Sequence, residues 1–214
     1  MKIFYEDNHI IVVYKEKGIL SQADGSSKKD MLTLIKEYIK EKYQKTGNVY
    51  LGLVHRLDIN TSGVMVFAKT SKAASRLDEA IRNHEFKKNY IATVEGILTN
   101  KNYKEIKSYI EKDEEKRVAF ISKNGKEAIL NYRVIANKKI ANVDVTDVEI
   151  ELKTGRFHQI RCQMSSIGHP LYGDKKYGSK NKVDDNEFML EAYKLSFPHP
   201  ITKEILTFYS KEIN

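Results

Sequence analysis

His55-Arg56-Leu57-Asp58 sets a cation and a carboxylate two positions apart, at the end of a mostly apolar run that begins at Val49. A turn-forming Ile59-Asn60-Thr61-Ser62-Gly63 follows, then a second apolar run. A carboxylate so placed has two possible uses. It can stabilise the local backbone as an Asx turn or cap. It can also serve as a nucleophile or general base at a strand end, kept ionised by nearby cations. A second group of the right type is "KTGRFHQIR", Lys153 to Arg161. Gly155 breaks a strand there, and Arg156, His158 and Arg161 crowd the start of the next helix, whose dipole favours an anion. The alternative is a basic patch that caps a loop. Tyr90, which opens a strand after "FKKN", is either a core aromatic or a stacking residue.

Other chemistries find no footing. There is no glycine-rich dinucleotide or phosphate loop, no His-Glu-x-x-His metal motif and no Gly-x-Ser-x-Gly elbow. The single cysteine, Cys162, excludes a disulfide framework within the chain and any cysteine-based zinc site. Set in a helical stretch beside apolar neighbours, it reads as a buried structural thiol. No sequence signature points to a metal or a cofactor. Lys and Arg number 37 against 29 Asp and Glu, a net charge of +8, which favours a polyanionic partner. A lysine-rich solvated surface explains the same balance. No apolar run approaches the roughly 18 residues of a membrane helix, and acidic residues precede the apolar stretch of "MKIFYEDNHIIVVYK" with no small-residue cleavage pattern. The expected location is the cytoplasm.

The elements that must position these residues follow from periodicity. With 41% hydrophobic residues, 3 Pro and 11 Gly, 214 residues suit one sizeable domain, here expected over 1–214. "HIIVVYK" reads as a short buried strand and "GVMVFAK" as one buried on both faces. Met31, Leu34, Ile35, Tyr38 and Ile39 recur at helical spacing. Ser71 is the expected N-cap of a helix whose Ala74, Leu77 and Ile81 share a face. "YIATVEG" alternates as a strand. Leu98 to Gly125, the most polar part, reads as hairpins or a mobile excursion. "AILNYRVI" and "VDVTDVEIELKTG" resume strand character, Ile160, Met164 and Ile167 mark a helix, and "FMLEAYKLSFPHP" and "EILTFYS" end the chain as strands. Many strands without regular βαβ alternation predict an α+β fold with a mainly antiparallel sheet.

Taken in order, the blocks "IFYEDNHIIVVYKEKGIL", "HRLDINTSGVMVFAKT", "FKKNYIATVEG", "GKEAILNYRVI", "TGRFHQIRCQMSSIGHPLYGDKKYG" and "LEAYKLSFPHP" resemble the RluA-type pseudouridine synthase family over essentially the whole chain. The resemblance implies a mixed sheet flanked by helices around a central active-site cleft, and an enzyme that isomerises uridine within RNA to pseudouridine without a metal or cofactor. It implies Asp58 as nucleophile, Tyr90 as the residue stacked on the target base, and Arg161 as the partner of the aspartate. It also implies that Ile160 is an apolar wall under the base and that Arg56 helps displace the uridine from the stack. His55, Thr61, Arg156 and His158 are supporting residues that position the loop or touch phosphate. The partner would be an rRNA or tRNA stem-loop, and the protein a monomer with no membrane contact.

Two departures stand out. "YKEKGIL" lacks the proline that many relatives carry in a Lys-Pro-x-Gly turn, and Phe157 replaces a common threonine. The family's larger members begin with an S4-like RNA-binding domain, and here the catalytic core is expected alone. Two rival readings remain at this level: an RNA-binding or chaperone-like module that turns nothing over, and a DNA glycosylase that releases free uracil.

Overall fold

The computed structural model describes residues 1–181, 183 and 188–211. They fall into two compact units, one of 1–87 with 192–214 and one of 88–191.

In the first unit, β1 (Ile3–Glu6) pairs with β2 (Ile10–Lys15), β2 with β4 (Ser62–Ala68), and the short β3 (Gly52–Leu53) with β4, all antiparallel. β10 (Leu190–Pro198) and β11 (Ile205–Tyr209) form an antiparallel hairpin. Every residue of β4 is buried, as its continuous apolar run predicts for a strand covered on both faces. Helix α1 (Met31–Lys42) buries Met31, Ile35 and Ile39 and starts at Asp30, whose side chain accepts from Thr33 N at 3.1 Å.

Helix α2 (Ser71–Arg82) lays Ala73, Leu77 and Ala80 into a cluster with Ile10, Val12, Val64, Val66 and Phe197. Ala74 and Ile81 sit at the edge of that cluster. The N-cap of α2 is Thr70, not Ser71: the Thr70 hydroxyl accepts from Ala73 N at 3.1 Å, and Ser71 is the first helical residue. Two adjacent hydroxyl residues both suit a cap, and the register of the buried face selects the earlier one.

Part of the basic surplus is structural. The Glu6 carboxylate accepts from Tyr38 and Tyr43 hydroxyls, both at 2.9 Å, and from Lys42 and Lys69, both at 2.7 Å. Burial works to raise its pKa, but the four donors outweigh that and bring it down to about 2. Lys42 and Lys69 therefore tie β1 to α1 and to the end of β4.

Gly63, read from sequence as part of a turn, is the second residue of β4. Its φ is 136°, and an added Cβ would lie 2.3 Å from the Ala192 carbonyl oxygen. The backbone of β10 approaches too closely for any side chain. Gly63→Ala is expected to destabilise by about 3 kcal/mol through strain and overlap, which circular dichroism should register as a melting point lower by about 10 °C.

In the second unit, β5 (Lys87–Glu95), β9 (Val143–Leu152), β8 (Lys126–Ile140), β6 (Lys104–Asp113) and β7 (Val118–Ile121) pair antiparallel in that order. The polar middle is thus the β6–β7 hairpin, with Ile110 and Ala119 turned into a core that also holds Ala128, Cys162 and Tyr177. Helix α3 (Gln159–Ser166) is fastened to this sheet by Gln163, whose amide lies within hydrogen-bond range of Ile106 O, Ala128 O and the Ser108 hydroxyl. Ile160 and Met164 are buried as predicted. Ile167 is not part of that face: α3 ends at Ser166, Ile167 is its half-exposed C-cap, and Gly168 follows at a positive φ of 85°. The described strand pairings are antiparallel, which with three helices makes the fold α+β, as expected.

Candidate active site

Four of the expected residues share one loop of the first unit, between β3 and β4: His55, Arg56, Asp58 and Thr61. The loop is held at every step. His55 is buried, and its Nε2 accepts from Val66 N at 3.1 Å, which ties the ring to β4. Leu57 is gripped on both of its backbone groups by the buried Ser21: its N–H donates to Oγ at 3.0 Å, and its carbonyl accepts from Oγ at 2.9 Å. The Ile59 carbonyl accepts from Lys15 Nζ at 3.0 Å and from Gly18 N at 2.9 Å. Thr61 N closes the turn onto Asp58 O at 3.0 Å. Asp58 thus sits between two residues whose main chains are both anchored.

The other side chains of this loop differ in kind. Arg56 is exposed and makes no side-chain hydrogen bond or ion pair among the described residues. Thr61 is buried, and among the described residues its hydroxyl is the one buried side-chain polar atom with no hydrogen-bond partner. A donor left in that state costs about 1–3 kcal/mol if nothing engages it.

In the second unit, Arg156, His158, Ile160 and Arg161 gather at the start of α3. The entry to the helix is built by Gln159, whose Oε1 accepts from Arg156 N at 2.9 Å and from the Thr154 hydroxyl at 2.8 Å. Its amide donates to Ile129 O at 3.1 Å. Arg156 Nε donates to Glu127 O at 2.8 Å, so this cation is partly engaged by backbone. His158 takes the left-handed conformation at φ 48°, with Nδ1 2.8 Å from the Tyr177 hydroxyl oxygen and Phe157 stacked on its ring at 3.7 Å. Burial, then the charges of Arg161, Lys176, Lys112 and Arg117, push His158 down to about 3. Its ring is therefore neutral at physiological pH. Burial also lifts Tyr177 to about 12 and Cys162 to about 11, so the phenol stays protonated and the thiol is inert, as expected for a structural cysteine.

Arg161, expected to pair with Asp58, has a different carboxylate beside it within its own unit. Its Nε and Nη2 donate to Asp174 at 2.6 and 2.9 Å in a bidentate pair, and both residues are buried. The guanidinium also lies over the Tyr177 and Phe188 rings at 4.8 and 4.3 Å. Tyr90 is buried in β5 opposite Ile150 of β9.

Lys15, Ser21, Gln159, Asp174 and Tyr177 are the residues that pattern reading missed as parts of the site. Asp174 and Tyr177 do lie within the "LYGDKKYG" block, where adjacent glycines mark a shaped loop. Among the described residues no set of His, Cys, Asp and Glu is arranged to hold a metal ion, and no helix is long and apolar enough to cross a membrane. A pocket of about 330 Å³ beside Lys104, Lys107, Tyr132 and His169 contains none of the expected residues.

A family model described as RNA pseudouridylate synthase matches residues 9–166. An uncharacterised RNA pseudouridine synthase of Bacillus subtilis, YhcT, is 36% identical over 96% of this chain and 67% of its own length. The dual-specificity RNA pseudouridine synthase RluA of Haemophilus influenzae is also 36% identical, over 99% of this chain and 93% of its own. The ribosomal large subunit pseudouridine synthase D of Zymomonas mobilis is 32% identical over 97% of this chain and 68% of its own. Among solved structures, human RNA pseudouridylate synthase domain containing 1 superposes with a TM-score of 0.79 at 22% identity, covering 99% of this chain and 83% of that one. That likeness speaks for the fold.

Proposed function

Because this chain belongs to the RNA pseudouridine synthase family, we propose that it isomerises a specific uridine in a structured rRNA or tRNA, with Asp58 as nucleophile on a uridine turned out of its stack. The observation that carries the reading is the loop around Asp58: both flanking residues are pinned through their backbones, so a short side chain has a fixed origin. Fixed placement of one reacting group is what the reaction asks of the protein. The bond between C1′ and N1 breaks, the uracil turns, and C5 bonds to C1′. C5 gives up a proton and N1 gains one, so no atom or electron is left over and no cofactor is invoked. Asp58 adds to C6 of the base or to C1′ of the sugar, and either route uses a single carboxylate. A pair of carboxylates, as in ordinary glycosidases, has no part in it.

The remaining roles extend this reading. A base cannot rotate while stacked in a helix, so it must be taken out first. Arg56, exposed and without a side-chain partner among the described residues, is suited to enter the stack in its place. Tyr90 stacks on the extruded base, and Ile160 forms an apolar wall. Arg161, whose plane is fixed by Asp174 and two aromatic rings, orients the Asp58 carboxylate. His55 and His158 shape their loops, and Arg156 contacts phosphate. Thr61 closes the turn that carries Asp58, through its N–H to Asp58 O. The protein acts as a cytoplasmic monomer.

The test is to map pseudouridines in rRNA and tRNA from a strain lacking the protein against its parent, and then to treat the unmodified RNA with purified protein. One or a few sites should disappear on deletion and return on treatment. Release of free uracil would show a glycosylase, and RNA binding with no modified site would show a binding module; either result rejects the proposal. Affinity should fall at least ~10-fold between 50 and 200 mM salt, because phosphate contacts release counterions.

A further inference from the structure

We propose that Lys15, the last residue of β2, and Ser21, on the segment that follows it, are positioning residues for Asp58, holding the neighbours on either side of it in the chain and setting a fixed positive charge beside its carboxylate. This rests on the reading of Asp58 as nucleophile and adds to it the device that aims it. The geometry is reciprocal. Ser21 takes both backbone groups of Leu57, and Lys15 takes the carbonyl of Ile59, so the only residue between the two grips is Asp58. Gly18, at a positive φ of 78°, bends the segment so that its own N–H reaches the same Ile59 carbonyl.

Lys15 is an unusual choice for a mere brace. Its side chain is wholly buried, and Nζ donates to two carbonyls, Glu16 O at 3.1 Å and Ile59 O at 3.0 Å. A neutral donor would serve those carbonyls without burying a charge. An ammonium gains from a nearby anion, and the carboxylates that act on Lys15 are those of Asp58 and Glu16. Burial nevertheless lowers Lys15 to about 8, against the upward pull of those two carboxylates. Below that pH the ammonium favours the ionised, reactive form of Asp58. As pH rises through that range the charge is lost, and the grip on Ile59 weakens with it.

The experiment compares Lys15→Gln, Ser21→Ala and Asp58→Asn with the unmodified protein, by single-turnover kinetics on its RNA from pH 6 to 9. Lys15→Gln keeps an N–H for the Ile59 carbonyl and removes the charge. It should lower the maximal rate about 10- to 100-fold, the scale of a misplaced reacting group, with RNA affinity changed less than about twofold. Its rate should also lack the decline that the unmodified protein shows above about pH 8. Ser21→Ala should lower the rate about 3- to 10-fold and keep that decline. A folded Lys15→Gln protein with unmodified rate and pH profile overturns the proposal. If Lys15→Gln does not fold, Ser21→Ala decides: an unmodified rate overturns the proposal, and a lowered one with affinity intact supports it. Asp58→Asn separates the two readings. If it is inactive while Lys15→Gln and Ser21→Ala are both normal, the positioning proposal alone falls. If it remains active, the nucleophile assignment falls and takes this one with it.

Discussion

Asp58→Asn is expected to abolish pseudouridine formation, with the single-turnover rate reduced by roughly 10⁴-fold or more, the scale seen when a covalent nucleophile is removed. The substitution is nearly isosteric, and the backbone of Asp58 is held through its neighbours by Ser21, Lys15 and Gly18 and through its own carbonyl by Thr61 N. None of those anchors uses the Asp58 side chain. The loop should therefore keep its backbone anchors, while loss of the anion beside the buried Lys15 ammonium costs about 1–3 kcal/mol. RNA affinity should stay the same or rise slightly, since an anion is removed from a surface that receives phosphate. Tritium release from C5-labelled uridine in the RNA gives the rate, filter binding the affinity, and thermal melting the stability. A variant that still isomerises uridine at a tenth of the normal rate would sink the assignment, because an amide cannot stand in for a carboxylate nucleophile.

How much of this was legible in the chain depends on how far apart the interacting residues lie. The buried strands β2 and β4 and the helices α1 and α2 declare themselves locally, because burial repeats at the period of the element that causes it. The expectation at Asp58, Tyr90 and Arg161 comes from motif blocks, not from their environments. What escaped were buried charges whose partners are distant. Lys15 reaches a carbonyl 44 positions away, and Asp174 answers an arginine 13 positions earlier. In sequence each is an ordinary surface-type residue near a glycine, and only the fold supplies the partner that makes its burial tolerable. The same limit explains Gly63, which reads as a turn residue but is required by the approach of a strand more than a hundred positions later. Boundary errors had a smaller cause: Thr70 and Ser71 are both cap residues, and Ile167 keeps helical spacing one residue after α3 has ended.

The pairing of Arg161 with Asp174 yields the second large effect. Asp174→Ala leaves a buried guanidinium without the carboxylate that takes two of its donors, and breaking such a pair from one side costs about 3–5 kcal/mol. A melting point lower by about 10 °C is expected, together with loss of activity, because Arg161 would no longer be held in plane. The two losses have different origins and can be separated. Replacing both partners, Arg161→Met with Asp174→Leu, removes the buried charge along with this counter-ion and fills the space with apolar side chains. Much of the stability should return, with a coupling of about 2 kcal/mol between the two positions. Activity should not return, since the proposed partner of Asp58 is gone. A double variant as unstable as Asp174→Ala would show that the pair is not the principal interaction of either residue. A stable double variant with normal activity would leave the pair as a structural brace and Arg161 with no part in the chemistry.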